Sequence, residues 1–282
     1  WFFIFYIPVS NLFFIIHPDV PLADRYIYIP SIGIFLGFAI VTSRLWEGNK
    51  KIYKIILSTC LILIITVLSL SSYERCGVWK NSLTLWNDSL NKYPELYKAY
   101  NGRGLYYTDC EEYEKAISDF NHAIRINPDY GEAYYNRGKI YKIKGEYNKA
   151  IDDFTRAINI YEDCDIYIER GIAFYKTGNY NKAINDFTHV LNLNPVAIEV
   201  YNYRGTVYNI KGEYNKAITD FTRALEINTT YPVLYQNRAF SYFRQKEYKK
   251  AWEDINKLKE KGYNIDSSFL KALEKASKAK EY

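Results

Sequence analysis

The most regular chemistry-bearing pattern in this chain pairs arginine with aspartate. Arg103, Arg137, Arg170, Arg204 and Arg238 precede Asp119, Asp153, Asp186, Asp220 and Asp254, always by 16 residues. A guanidinium and a carboxylate that meet make two parallel charge-assisted hydrogen bonds. At neutral pH the first only donates and the second only accepts, so five copies describe a ladder of ion pairs and not a catalytic centre. A second candidate is Arg25 with His17. At a membrane surface a guanidinium can grip a lipid-linked phosphate, with His17 assisting. Arg25 beside Tyr26 and Tyr28 also fits an interfacial anchor. Cys60, Cys76, Cys110 and Cys164 form no Cys-x-x-Cys and are expected as free thiols. His122 and His189 hold equivalent places two repeats apart, too distant to share a metal. No phosphate loop, dinucleotide fingerprint, zinc motif or nucleophile elbow occurs. The expectation is no cofactor, no metal and no catalytic residue in this stretch of chain.

The elements that hold these arginines recur. Arg-Gly appears at 103–104, 137–138, 170–171 and 204–205, and ends as Arg238-Ala239. Tyr-x-x-Ala-Ile-x-Asp-Phe starts at Tyr113, Tyr147, Tyr180 and Tyr214, with a weaker fifth copy from Tyr248. The period is about 34 residues, that of a helix–turn–helix solenoid. Apolar residues three and four apart, such as Ala116, Phe120 and Ala123, share one helix face. Gly145, Gly178 and Gly212 stand where a helix must end with positive φ. Pro128 and Pro195 stop second helices, whereas Glu162 and Thr229 hold those places in repeats two and four. The second repeat is one residue short, so its junction near 163–165 is expected to be irregular. Amphipathic helices over 79–93 (Trp79, Leu83, Trp86, Leu90) and over 267–280 are expected to cap the ends, the latter with Phe269 or Leu270, Leu273 and Ala276 inward. This pattern resembles the tetratricopeptide repeat (TPR) over residues 97–265.

Three uncharged runs precede the repeats, at 1–16, 26–43 and 55–73. The last two approach the roughly 20 residues a membrane helix needs. With no Met at its start, the chain is expected to be a piece of a longer protein whose first run is a truncated span. Arg44, Lys50, Lys51 and Lys54 against Glu47 make the 44–54 link basic and place it on the cytoplasmic side. The 17–25 link and everything after 73 then face the periplasm, the endoplasmic reticulum lumen or the outside. The fold class expected is all-α: transmembrane helices over 1–73, a connecting half-repeat over 74–96, a right-handed five-repeat solenoid over 97–265 and a capping helix over 266–282.

Ala23-Asp24-Arg25-Tyr26-Ile27-Tyr28-Ile29-Pro30-Ser31-Ile32-Gly33, followed by Trp79, Leu83, Trp86 and Pro94, resembles polytopic TPR-tailed glycosyltransferases. That group holds the transmembrane-and-TPR O-mannosyltransferases and bacterial relatives. The resemblance implies a polyprenyl-phosphate sugar donor and an acidic residue in an early outward loop, upstream of Trp1. It also implies a groove lined by first-helix residues: Asn101, Leu105, Tyr135, Lys139, Lys142, Ile168, Ile172, Tyr175, Asn202, Thr206, Asn209, Gln236, Phe240, Phe243 and Arg244. This lining lacks the Lys-and-Asn clamp of chaperone-tail binders. The partners expected are a protein or peptide segment in the groove and membrane lipid, including a polyprenyl-phosphate sugar. The 37 basic and 32 acidic residues are interspersed, which argues against nucleic acid. Two functions follow: the acceptor-binding arm of a glycosyltransferase whose catalytic part lies elsewhere, or a non-enzymatic membrane-tethered adaptor.

Overall fold

A computed structural model describes residues 80–280 and, before them, single positions between 51 and 78. The runs at 1–16 and 26–43, with His17 and Arg25, lie outside the described residues. In the third run the described positions are helical, and Ile55, Ile62, Leu63, Val67 and Leu70 are more than half exposed. Among the described residues no helix is long and apolar enough to cross a membrane. The same residues form twelve α-helices and no strand. The chain divides into two compact units between Pro128 and Asp129, which cuts between repeats one and two.

The first unit holds α1 (Ser82–Lys92), α2 (Tyr97–Asp109) and α3 (Tyr113–Ile126). Asn81 and Thr84 close a capping box that starts α1: Thr84 N–H donates to Asn81 Oδ1 at 2.9 Å, and Asn81 N–H donates to Thr84 Oγ1 at 3.3 Å. α1 packs on α2 through Leu90, Leu96, Ala99 and Trp86. The α2–α3 hairpin is the first repeat, with Phe120 fully buried.

The second unit holds four more hairpins and a final helix. The hairpins are α4 (Gly131–Ile143) with α5 (Tyr147–Ile160), α6 (Cys164–Lys176) with α7 (Tyr180–Leu193), α8 (Ile198–Ile210) with α9 (Tyr214–Ile227), and α10 (Pro232–Arg244) with α11 (Tyr248–Glu260). The last helix is α12 (Ser267–Lys280). Each second helix packs on its own first helix and on the next one. Burying one apolar face therefore requires both neighbours. At the crossings of the first three of these hairpins a phenylalanine ring fills the space beside a glycine; in the fourth, Ile255 and Ala239 hold those places. A Cβ added at Gly171 would stand 2.6 Å from the Phe187 ring, so glycine there sets the helix separation.

The turns inside the hairpins take a left-handed residue. Gly145, Gly178 and Gly212 supply it with φ of 76°, 77° and 77°. Glu111 and Lys246 do the same work at 60° and 62° without glycine's freedom. The shortened junction after repeat two differs from its neighbours. Asp163 caps α6 there by accepting from Asp165 N–H at 2.7 Å, whereas α4, α8 and α10 start without a side-chain cap. At the C-terminus Leu273 is fully buried, with Phe269 and Leu270 packed against the same core.

Candidate functional site

All five arginines meet their aspartates in bidentate pairs inside one repeat. In the first unit, Arg103 Nε and Nη2 donate to Asp119 Oδ2 and Oδ1, both at 2.8 Å. In the second unit the equivalent bonds are 2.8 and 2.5 Å for Arg137–Asp153, 2.9 and 2.8 Å for Arg170–Asp186, 2.9 and 2.7 Å for Arg204–Asp220, and 2.8 and 2.7 Å for Arg238–Asp254. The aspartates are buried and the arginines half-buried. Each of these second-unit guanidiniums lies between two aromatic rings; for Arg170 they are Tyr167 and Phe174, at 5.4 and 5.7 Å.

One bond of the ladder was not legible in advance. The remaining guanidinium nitrogen reaches back to the preceding second helix. Arg170, Arg204 and Arg238 Nη1 donate to Thr155, Thr188 and Thr222 at 3.2, 2.9 and 2.9 Å. In the first unit Arg103 Nη1 donates to Asn87 on α1 at 2.8 Å. The signal in the sequence is a hydroxyl directly after the buried phenylalanine, or on α1 an amide directly after the half-buried Trp86. Burial pushes the Asp153 and Asp220 carboxyls up, against the pull of Arg137 and Arg204. The arginines respond the other way: burial acts against their charge, but the bonds to aspartate outweigh it and hold them above their ordinary value. A guanidinium stays charged at every accessible pH, so each carboxylate faces a permanent cation and the pairs are ionised at neutrality.

The expected groove residues lie on the first helices. In the first unit Asn101 is buried, 5 % exposed, and Leu105 is exposed. In the second unit all thirteen are half-buried or exposed. On α4, Tyr135 packs 6.0 Å from the Phe154 ring, with Lys139 Nζ 5.3 Å from its own ring. Burial, with Glu169 and Asp165 nearby, pushes the Tyr135 phenol up to about 12, so it remains a hydrogen-bond donor. Lys142 is ion-paired with Glu169 on α6. Ile168, Ile172 and Tyr175 of α6 pack into the core of repeat three. On α8, Thr206 donates to the Asn202 carbonyl at 2.8 Å. Asn202 and Asn209 accept from Asn237 and Ser241 of α10 at 2.9 and 2.7 Å. These amides tie neighbouring first helices together. Gln236 is exposed, and Arg244 lies 5.2 Å from the Tyr214 ring and 5.8 Å from the Phe240 ring. Phe269 of α12 adds a ring that sequence reasoning had assigned only to the cap. It stands 5.6 Å from Phe243 and 6.3 Å from Phe240. The result is polar in its middle and aromatic toward its C-terminal end.

His122 stacks on Tyr100 at 5.1 Å, and His189 bonds Glu162 at 2.8 Å. Among the described residues no group of three His, Cys, Asp or Glu side chains could hold a metal.

Family comparison matches the profile "TPR repeat" to residues 104–145 and "Tetratricopeptide repeat" to 131–164, 164–195 and 198–231. The hairpins are tetratricopeptide repeats. Among solved structures of this fold, the TPR protein YrrB, described as having an unusual peptide-binding site, superposes with a TM-score of 0.59 at 21% identity. It covers 70% of this chain and 98% of its own. MamA superposes with a TM-score of 0.53 at 22% identity, covering 60% and 97%. Both likenesses establish the TPR fold. Among curated proteins, the protein O-mannosyl-transferase TMTC3 of Homo sapiens is 31% identical over 101 residues, 35% of this chain. The protein O-mannosyl-transferase F38B6.6 of Caenorhabditis elegans is 32% identical over 99 residues. These matches span 10% and 13% of those proteins' lengths.

Proposed function

We propose that this chain is the acceptor-binding arm of a membrane glycosyltransferase that uses a lipid-phosphate sugar, with the TPR domain on the exoplasmic side. The observation that carries the reading is the first-helix groove of repeats two to five. It joins the exposed ring of Phe240 and the half-buried ring of Phe243 to a polar centre at Asn202, Thr206 and Asn209. Such a surface takes an extended protein segment: rings accept side chains and amides accept or donate to backbone. The similarity to protein O-mannosyl-transferases suggests what that segment is for, namely a polypeptide that receives a sugar. Nothing in the ladder supplies an acid, base or nucleophile, so the chemistry belongs to another part of the parent protein. Arg25 and His17 are proposed as contacts to the lipid phosphate.

The test is sugar transfer by the full-length parent from a polyprenyl-phosphate sugar to an acceptor protein. Changing Tyr175→Ala with Phe243→Ala is expected to raise the acceptor KM several-fold and leave kcat near wild type, since these residues bind without touching the reacting atoms. Unchanged acceptor KM would overturn the groove's role, and absence of any transfer would overturn the enzyme reading.

A further inference from the structure

The two edges of the second unit carry opposite charge. Helices α4 to α11 alternate in direction, so every turn inside a hairpin falls on one edge and every turn between hairpins on the other. The inside turns, 143–149, 176–182, 210–216 and 244–250, hold ten basic residues against three acidic. The outside turns, 129–132, 159–165, 192–199, 226–233 and 260–267, hold nine acidic residues against one basic. The net charge of +5 for the whole chain hides this separation.

The basic edge is also regular. Lys149, Lys182, Lys216 and Lys250 occupy the same place in four successive repeats. Each Nζ lies 5.3 to 5.5 Å from the centroid of an aromatic ring: Tyr141, Phe174, Tyr208 and Tyr242. The rings hold the stems in line and leave the side chains exposed, 64% for Lys149 and Lys216; Lys149, Lys216 and Lys250 also pair with a glutamate of their own turn, Glu146, Glu213 and Glu247, and the turns as a whole stay net basic. Two clefts open on this edge. One, of about 390 Å³, lies between Lys182 and Lys211, whose Nζ donates to Asn181 Oδ1 at 2.8 Å. The other, of about 580 Å³, is lined by Lys246, Lys249, Lys250 and Trp252, with Glu247 as its one acidic residue.

From this we infer that the inside-turn edge of repeats two to five is a membrane-facing surface that receives the phosphodiester headgroups of anionic lipids. Evenly spaced cations along a line fit a plane of charge. A planar bilayer touches that edge alone, whereas a flexible polyanion wrapping the domain would meet the acidic edge as well. Each lysine near an anionic surface adds about 1 kcal/mol, within reach only of a Debye length. The inference rests on the membrane-tethered reading for proximity, and the exposed aliphatic side chains of Ile55, Ile62, Leu63, Val67 and Leu70 are the observation behind that.

The experiment uses the full chain with liposomes of phosphatidylcholine, with and without phosphatidylglycerol. Flotation after a carbonate wash reports insertion. Amine labelling with mass spectrometry then reports each lysine, with groove residue Lys139 as internal control. Labelling of Lys149, Lys182, Lys216 and Lys250 is expected to fall about fivefold on anionic bilayers and to recover at high salt. Lys182→Glu with Lys216→Glu should abolish the protection of Lys149 and Lys250, and the matching Lys→Arg changes should keep it. Equal labelling on both bilayers overturns the inference while leaving membrane tethering intact. Failure to float with neutral vesicles overturns the tethering, and salt-sensitive flotation with anionic ones would still uphold the edge. Protection by inorganic phosphate alone, or only by polyglutamate, overturns it in favour of a free anion or an acidic protein.

Discussion

Each repeat of the second unit places two cations within 6.0 Å of one aromatic ring, and their fates differ. Tyr208 lies 6.0 Å from the Arg204 guanidinium and 5.4 Å from Lys216 Nζ. The arginine is turned inward and closed by Asp220 and Thr188; the lysine stays at the surface, 64% exposed, and pairs with Glu213 at 2.7 Å. A planar fork can commit three of its five donors to fixed acceptors at once, while a compact ammonium is better hydrated. The inner cation is therefore held between repeats, and the outer one is held only by a solvent-exposed pair within its own turn.

The sharpest way to break this contrast is to orphan an inner charge. Asp186→Leu leaves Arg170 half-buried without its carboxylate and is expected to cost about 3–5 kcal/mol in denaturant unfolding. Arg170→Leu with Asp186→Leu together should cost less than Asp186→Leu alone, because no uncompensated charge remains. Small additive losses would show that the pair behaves as a surface one.

A finer cut removes only the bond between repeats. Thr188→Val keeps shape but takes away the acceptor of Arg204 Nη1, and should lower stability by about 1.5 kcal/mol. The same change at Thr219, an exposed hydroxyl that donates within its own helix, should be near neutral. Equal losses at both sites would remove the case for a bond that couples repeats.

The carboxylates on the two sides should titrate in opposite directions. Burial raises Asp153 and Asp220, so their contribution to stability is full below the unfolded pKa and is lost as pH rises through the folded one. Glu146 is depressed by its bond to Lys149, and Glu213 by its bonds to Lys211 and Lys216. Their contribution is present above the unfolded value and is lost as pH falls through the folded one. Carboxyl-carbon NMR across the acid range checks this, with the aspartates expected above and the glutamates below their ordinary values.

The smallest effect is expected from the outer cation itself. Lys182→Ala should change stability by no more than about 0.5 kcal/mol, since exposed charges contribute little to folding. A loss comparable to that of Thr188→Val would mean that the ring–ammonium contact is structural, and would blur the division between inner and outer charge.

Much of this was legible in the sequence. The constant separation of 16 residues between Arg and Asp fixed both the partner and the register, because opposing helices of a hairpin bring those two places together. Gly178 and Gly212 marked the turns for a conformational reason that is local. The groove was read less completely. Asn101 carries the same polar side chain as Asn202, yet it is buried where Asn202 is half-buried. Phe269 joined the rings of Phe240 and Phe243 because α12 packs against repeat five, which no periodicity within α12 announces.

The sequence by itself determined the hairpin: its period, its small residues at the crossing, its left-handed turn and its inner ion pair. All depend on residues within one repeat, where spacing along the chain maps directly to spacing in a helix. Only the tertiary structure decided what lies between repeats. It turned Thr155, Thr188 and Thr222 into acceptors for arginines of the following repeat, and it sorted interspersed charges onto two edges of opposite sign. The physical reason is that stacking antiparallel hairpins aligns like turns, so a small bias repeated in each copy adds along an edge instead of averaging out.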